Sequence, residues 1–234
     1  MELTAKAILA RLQELRSDEE RKKYHRYFDF DDDAADTFIG VRMGEVFALA
    51  KQCLLTPPAE IENLMESDIH EARAAAMSIM AKQYQAKKTT LERKEELFEL
   101  YLRRHDRINN WDLVDLAAYY VVGPHLVERP RDVLYRLAKS GSMWERRTAI
   151  LATFAFMRRK DYADTFAIAQ ILKDDPEDLV HKAAGWMLRS ISDRQQLTAF
   201  LDTHAATMPR IMLRNALEHY QPDERAKYLA MGKK

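Results

Sequence analysis

The chain has 234 residues, 47% of them hydrophobic, so it can bury a sizeable core, and its single cysteine excludes an internal disulfide or a cysteine-based metal site. Its 37 basic and 37 acidic side chains cancel, so only a local basic face could hold a polyanion. No charged and then apolar signal segment opens the chain, and its longest largely apolar run, 149–157, is about half of the ~20 residues that cross a bilayer. We therefore expect one globular domain, 1–234, that is cytoplasmic and does not span a membrane.

Taken in chain order, the apolar spacing of the first part predicts helices separated by one acidic segment. The predicted helices cover 3–15, Asp18 to about 28, 38–54 and 59–65, and the third ends before Pro57 and Pro58. Between the second and third helices, residues 29–37 carry dense like charge and few apolar side chains. This composition predicts an acidic loop or insertion.

The remainder of the chain continues the helical pattern. Helices are predicted over 68–84, 91–102, 110–122, 130–139, 143–157, 161–172, 176–192, 194–204 and 209–219, with a last one after Pro222. Gly123-Pro124 is expected to stop the third of these with a C-terminal cap. No segment shows sustained alternation with hairpin turns, so the sequence predicts an all-α fold.

A polar or charged residue two places before an alanine recurs along the predicted helices. These anchors are Arg73, Asp115, Arg147, Lys182 and Arg214, at separations of 42, 32, 35 and 32 residues. Recurrence at about 30 to 47 residues is typical of helical-repeat arrays. The spacing predicts an α-α superhelical solenoid with the anchors along one wall of a concave groove.

Several motifs that would indicate other chemistry are absent from the sequence. It has no Gly-rich phosphate loop and no dinucleotide fingerprint, and His70-Glu71 is followed by Ala74 where a zinc protease motif needs a second His. The seven His residues are scattered. We therefore expect no metal site and no cofactor.

Two tryptophans each lie one helical turn from a charged anchor. Trp111 precedes Asp115 by four residues, and Lys182 precedes Trp186 by four, so each pair shares a helix face. Taken alone, Trp111 would be a core residue and Asp115 its capping or ion-pair partner. The repeat favours another interpretation, because Asp115 occupies a position that elsewhere holds a cation. The pattern predicts a groove for a polyanion with one electron-deficient centre.

Three motifs carry a resemblance to a known family. They are Trp111-Asp112-x-Val114-Asp115, Trp144-x-x-Arg147-x-Ala149-Ile150-Leu151 and Lys182-Ala183-x-Gly185-Trp186-x-Leu188-Arg189. In order and spacing they resemble the AlkD family of DNA alkylation repair glycosylases, from about residue 38 onward. The resemblance implies a HEAT-like helical-repeat array that binds duplex DNA and hydrolyses the N-glycosidic bond of N3- and N7-alkylated purines.

The resemblance also implies roles for individual residues. Asp115 resembles the family's catalytic carboxylate, Trp111 and Trp186 its two active-site indoles, and Arg147 its backbone-contacting arginine. Lys182, Arg214 and Arg73 would extend the DNA-binding row, and Tyr24 or Tyr27 would supply an aromatic residue near the lesion. The expected partner is duplex DNA carrying alkylated purines, with no obligate protein partner.

Two alternatives remain at this point. A HEAT-like module could bind nucleic acid or a protein without catalysis, although such grooves seldom place an Asp among cations. A glycosylase with lyase activity could use Lys182 as an amine nucleophile, but the sequence offers no sign that this amine is activated.

Overall fold

We describe a computed structural model of the chain, which covers residues 2–24 and 36–231. These residues form no β-strand, and Thr37 and Ile69 make an isolated parallel bridge. The prediction of an all-α fold is therefore confirmed. Tyr27 and residues 29–35 of the predicted acidic loop lie outside the described residues.

The helices follow one another along the chain with short connections. They are α1 (Ala5–Glu14), α2 (Asp18–Tyr24), α3 (Met43–Gln52), α4 (Pro58–Met65), α5 (His70–Gln85), α6 (Leu91–Arg103), α7 (Trp111–Ala117), α8 (Gly123–His125), α9 (Asp132–Leu137), α10 (Met143–Ala152), α11 (Phe154–Met157), α12 (Ala163–Leu172), α13 (Asp178–Arg189), α14 (Arg194–His204), α15 (Arg210–Ala216) and α16 (Pro222–Met231). A short 3-10 helix covers His105–Arg107, and a π-helical turn, Ala118–Val122, follows α7. No helix of the described ranges is both long enough and apolar enough to cross a membrane.

The contacts between residues divide the chain into a first unit, Met1–Val121, and a second unit, Val122–Lys234. In the first unit, α5 is the central helix and packs against α3, α4 and α7. Its small side chains Ala74, Ala75 and Ala76 are completely buried, and they let the neighbouring helices approach closely. Nearly every residue of α5 is buried, which explains why its hydrophobic face is not confined to one stripe.

In the second unit, α13 is the central helix and packs against α10, α12 and α15. The anchor helices are thus neighbours within each unit: α5 with α7 in the first, and α10 with α13 and α13 with α15 in the second. This arrangement is that of a helical-repeat fold, as predicted. The single domain 1–234 and the common wall of anchors stay predictions.

One predicted helix begins later than the sequence pattern indicated. The helix predicted from Phe38 begins at Met43, and residues 36–42 are not helical. The cause is Glu71, whose buried carboxylate accepts hydrogen bonds from the backbone N–H groups of Ile39, Gly40 and Val41 at 2.7 to 3.2 Å. These bonds replace the intrahelical bonds that the segment would otherwise make.

The expected C-terminal cap at Gly123 was also wrong. Gly123 begins α8 and has no positive φ, and Pro124 follows in the first turn. A Cβ at position 123 would lie 2.2 Å from the carbonyl oxygen of Ala152. The glycine therefore allows a close approach between two backbone segments within the second unit.

Candidate active site

A cleft of about 680 Å³ opens in the first unit beside α7. Its lining combines aromatic and apolar side chains with three carboxylates and two cations: Tyr24, Phe47, Trp111, Tyr120, Met43, Leu116, Glu20, Asp112, Asp115, Lys23 and Arg42. We call it the α7 cleft. Three residues predicted from the sequence, Trp111, Asp115 and Tyr24, lie together in this lining.

The seven-residue helix α7 places Trp111 and Asp115. Asn110 caps the helix, and its side-chain oxygen accepts a hydrogen bond from the backbone N–H of Trp111 at 2.8 Å. Because Trp111 and Asp115 are four residues apart, the indole and the carboxylate lie one turn apart on the same face. Both side chains are partly exposed, so a ligand in the cleft can contact them.

Aromatic side chains form much of the remaining lining of the α7 cleft. Phe47 on α3 and Tyr120 after α7 remain 37% and 44% exposed. Tyr24 is half-buried, and its hydroxyl donates a hydrogen bond to the carbonyl of Val41. Burial, followed by the nearby carboxylates of Glu71 and Asp112, raises the pKa of Tyr24. Tyr24 therefore stays protonated at neutral pH, and its hydroxyl is committed to the backbone.

The two cations of the cleft share one carboxylate. Glu20 accepts hydrogen bonds from Lys23 at 2.7 Å and from Arg42 at 2.8 Å. These bonds, that from Lys23 first, lower the pKa of Glu20. The edge of the cleft formed by Glu20, Lys23 and Arg42 consequently carries one net positive charge.

A buried polar network supports the start of α7. It contains Asp36, His70, Arg73, Asn109 and Asp112, and we call it the His70 network. The two imidazole nitrogens of His70 lie 3.2 Å from Asp36 Oδ2 and 2.7 Å from Asp112 Oδ2. Arg73 forms an ion pair with Asp36, and Asn109 donates a hydrogen bond to the same carboxylate at 3.1 Å.

The charges of the His70 network shift two pKa values in opposite directions. Burial alone would raise the pKa of Asp36, but the bonds from His70 and Arg73 lower it to about 2. Burial alone would lower the pKa of His70, but Asp112 first and then Asp36 raise it to about 9. At neutral pH Asp36 is therefore ionised and His70 is protonated.

The second unit contains the other predicted indole. Trp186 on α13 donates a hydrogen bond from its indole nitrogen to Asn215 Oδ1 at 3.0 Å, and Asn215 in turn donates to the carbonyl of Ile211 at 2.8 Å. The Arg147 guanidinium lies 5.5 Å from the Trp186 ring and donates to the carbonyl of Leu179 at 2.6 Å. The indole is thereby fixed within its own unit.

The predicted DNA-binding cations differ in exposure. Arg214 is exposed and Lys182 is partly exposed, whereas Arg147 and Arg73 keep only 1% and 2% of their surface exposed. Arg73 donates to Ser67 and Asn109 in addition to its ion pair with Asp36. These bonds use Arg73 inside the first unit, so we do not retain it among the DNA contacts.

Sequence reasoning missed His70, Asp36, Asp112, Glu71 and Asn215. His70 and Glu71 were considered only as an incomplete zinc motif, and Asp36 only as part of an acidic loop. No local sequence pattern could have connected His70 with Asp36 and Asp112, because these carboxylates lie 34 and 42 residues from it. No group of three or more His, Cys, Asp or Glu side chains in residues 2–24 and 36–231 is arranged to hold a metal ion.

A comparison with protein families supports the sequence resemblance. A search of curated proteins finds no match. The sequence profile of a family described as DNA alkylation repair enzyme matches residues 8–220, which is nearly the whole chain and includes α7, α10 and α13. The match confirms the suspected AlkD-like relationship. The chain belongs to the DNA alkylation repair enzyme family.

Proposed function

We propose that this DNA repair enzyme is a glycosylase that hydrolyses the N-glycosidic bond of N3- or N7-alkylated purines in duplex DNA. The observation that carries the proposal is the common position of the Asp115 carboxylate and the Trp111 indole in the α7 cleft, one helical turn apart. Family membership supports DNA as the substrate. The reaction and the lesion are what the resemblance to the AlkD family implies, and the chemistry of the cleft suits both.

The carboxylate suits the charge that develops in this reaction. A purine alkylated at N3 or N7 is cationic, so it leaves as a neutral base when the bond between C1′ and nitrogen breaks with both electrons going to nitrogen. The sugar left behind is oxocarbenium-like, and a nearby carboxylate stabilises it as carboxylates do in glycoside hydrolysis. Asp115 would also orient the water that adds to C1′ and accept its proton.

The aromatic lining suits the same substrate. Indole and phenyl faces attract a cation through the ring quadrupole, by about 0.5 to 2 kcal/mol for each contact depending on desolvation. Trp111, Phe47 and Tyr120 supply such faces in the α7 cleft, and Tyr24 adds its ring because its hydroxyl is engaged with Val41. An undamaged, neutral purine would gain less from these contacts than an alkylated one.

The second unit would contribute through the phosphate backbone and the second indole. Lys182 and Arg214 are the cationic anchors whose side chains reach solvent, and phosphate contacts of this kind fix position without reading sequence. Arg147 would act mainly by holding Trp186, given its buried bond to the carbonyl of Leu179. We keep Trp186 as the second active-site indole on the strength of the family resemblance.

The test is the release of N7-methylguanine from methylated duplex DNA by Asp115→Asn. The variant keeps the side-chain shape and loses the charge, so release should fall by about 10² to 10³ while folding and duplex binding are retained. Asp68→Asn is the matched control, because Asp68 belongs to the same unit, has a 78% exposed side chain and does not line the cleft. It should excise at the wild-type rate.

Two outcomes would contradict the proposal. Excision by Asp115→Asn at the wild-type rate, or no excision by the wild type despite tight duplex binding, would favour the alternative of a HEAT-like binding module. Borohydride trapping of a covalent adduct, lost in Lys182→Ala, would replace the proposed monofunctional hydrolysis with a lyase reaction.

A further inference from the structure

His70 occupies a position between two carboxylates that only its protonated form can satisfy. Its side chain is completely buried, and its two nitrogens face Asp36 and Asp112 at 3.2 and 2.7 Å. A neutral imidazole carries one N–H and could donate to only one of them, leaving a lone pair against the other carboxylate. The geometry therefore requires an imidazolium that donates to both.

The contacts of His70 with Asp36 and Asp112, which we call the bridge, are buried, and neighbouring groups balance their charge. Phe38 stacks on the imidazole with ring centroids 4.4 Å apart and an interplanar angle of 20°. Asp36 and Asp112 are the carboxylates that face the ring. Arg73, which lies on α5 together with His70, forms an ion pair with Asp36. The other charged or titratable groups nearby are Glu71, which binds the backbone of residues 39–41, and Tyr24, which is bonded to Val41.

The bridge is connected directly to the start of α7. Asp112 is the second residue of α7, and its other oxygen accepts the backbone N–H of Leu113 at 2.8 Å. Asn109, two residues before the helix, is bonded to Asp36 at 3.1 Å. A helix of seven residues has little stability of its own, so its orientation depends on such tertiary contacts.

We propose that His70 is a positioning residue of the site, which fixes the first turn of α7 through Asp112 and Asp36 and thereby places Trp111 and Asp115. This inference rests on the proposed function for its effect on catalysis. Its effect on the structure, the position of the Trp111 indole, can be measured without any assumption about the reaction.

The expected catalytic effect follows from geometry. A displacement of about 1 Å in a reacting group can cost up to about 10²-fold in rate. His70→Gln removes the double donor, so release of N7-methylguanine should fall by about 10- to 100-fold with duplex affinity unchanged, because the proposed phosphate contacts belong to other residues. Asp36→Asn weakens one arm of the bridge and should cause a smaller fall in rate.

The structural readout is ¹⁹F NMR of the full chain labelled with 5-fluorotryptophan. The chain has three tryptophans, so three resonances are expected, and Trp111→Phe assigns the one of interest. In the wild type this resonance should shift between pH 7 and 10 with a midpoint near 9, the pKa to which His70 is raised, while those of Trp144 and Trp186 stay constant. In His70→Gln the pH-dependent shift should vanish.

His105→Gln provides the matched control, since His105 is another buried histidine of the first unit that does not line the cleft. It should leave the Trp111 titration and the excision rate as they are in the wild type. An unchanged Trp111 resonance and excision rate in His70→Gln would overturn the positioning role. If His70→Gln does not fold, the pH titration of the wild type alone tests the positioning role. A Trp111 resonance that does not shift between pH 7 and 10 would also overturn the proposal.

The failures of the two proposals are distinguishable. If the wild type releases no alkylated base, the proposed function fails, and the fluorine titration still tests the link between His70 and Trp111. If excision depends on Asp115 but the Trp111 resonance is independent of His70, the glycosylase proposal stands and the positioning role is wrong.

Discussion

Replacement of Gly185 by alanine tests how closely α13 and α15 pack. An added Cβ would lie 2.5 Å from the Cβ of Asn215 and 2.6 Å from the carbonyl oxygen of Met212. Gly185 does not have a positive φ, so the backbone conformation itself would accept alanine. The obstacle is space, and neither neighbouring atom can rotate away, because one belongs to the backbone and the other is a Cβ fixed directly to it.

The magnitude follows from the shortfall in distance. Carbon contacts are optimal at about 3.5 to 4.0 Å, so the two helices would have to separate by about 1 Å. Overpacking costs about 1 to 3 kcal/mol, and the upper end applies to a backbone obstacle. Replacing glycine by alanine within a helix raises the free energy of unfolding by about 1 kcal/mol, which offsets part of this cost. Gly185→Ala should therefore destabilise the protein by about 2 kcal/mol.

The same separation should reach Trp186. The indole is held by a 3.0 Å hydrogen bond to Asn215, the residue whose Cβ the new methyl group would displace. If Trp186 is an active-site indole, excision of N7-methylguanine by the folded variant should decrease by up to about 10²-fold.

Urea denaturation gives the free energy of unfolding, and Gly44→Ala is the matched control. Gly44 lies in α3, and an added Cβ there would meet no atom within 4 Å. This control should stabilise the protein by up to about 1 kcal/mol. If Gly185→Ala were as stable as Gly44→Ala, the close approach of α13 and α15 would be refuted.

Two further predictions concern the buried charges of the first unit. The pKa of His70 is raised from 6.5 to about 9, so its stabilising effect is complete below pH 6.5 and is lost as the pH rises through about 9. Urea unfolding of the wild type at pH 6 and pH 9.5 should differ by up to about 3 kcal/mol, and an equal difference in His70→Gln would contradict this assignment. Glu71→Gln weakens an acceptor shared by the N–H groups of residues 39–41 and should lower the free energy of unfolding by about 2 kcal/mol, whereas an unchanged value would show that another group can bind this segment.

The parts of the fold that local pattern determines were predicted well. The helix Arg194–His204 was predicted at the residues where it occurs, because its apolar spacing is regular and Asp193 caps it. Trp111 and Asp115 were predicted on one face, since the i, i+4 relation is a property of any helix. Their common position in the α7 cleft agrees with that prediction.

The parts that depend on distant partners could not be read from the sequence. Glu71 makes the beginning of a predicted helix non-helical, and no residue near position 38 indicates a carboxylate that lies more than 30 residues away. Gly123 was expected to end a helix, but its role is to leave space for the backbone of Ala152, which packs closely against it. A glycine needed for a left-handed conformation and one needed for space look the same in a single sequence.

The position of Asp36 bears on how an acidic segment can coexist with DNA binding. A carboxylate near phosphate is repulsive as an isolated charge, so an acidic segment beside bound DNA would weaken binding. Asp36 instead lies within hydrogen-bonding distance of His70, Arg73 and Asn109, and Asp112 lies 2.7 Å from His70. Salt screens exposed charges beyond about 8 to 10 Å, and a carboxylate balanced by an adjacent cation has a field that falls off faster still. The described end of the acidic segment therefore costs little in repulsion and supplies the contacts that orient α7.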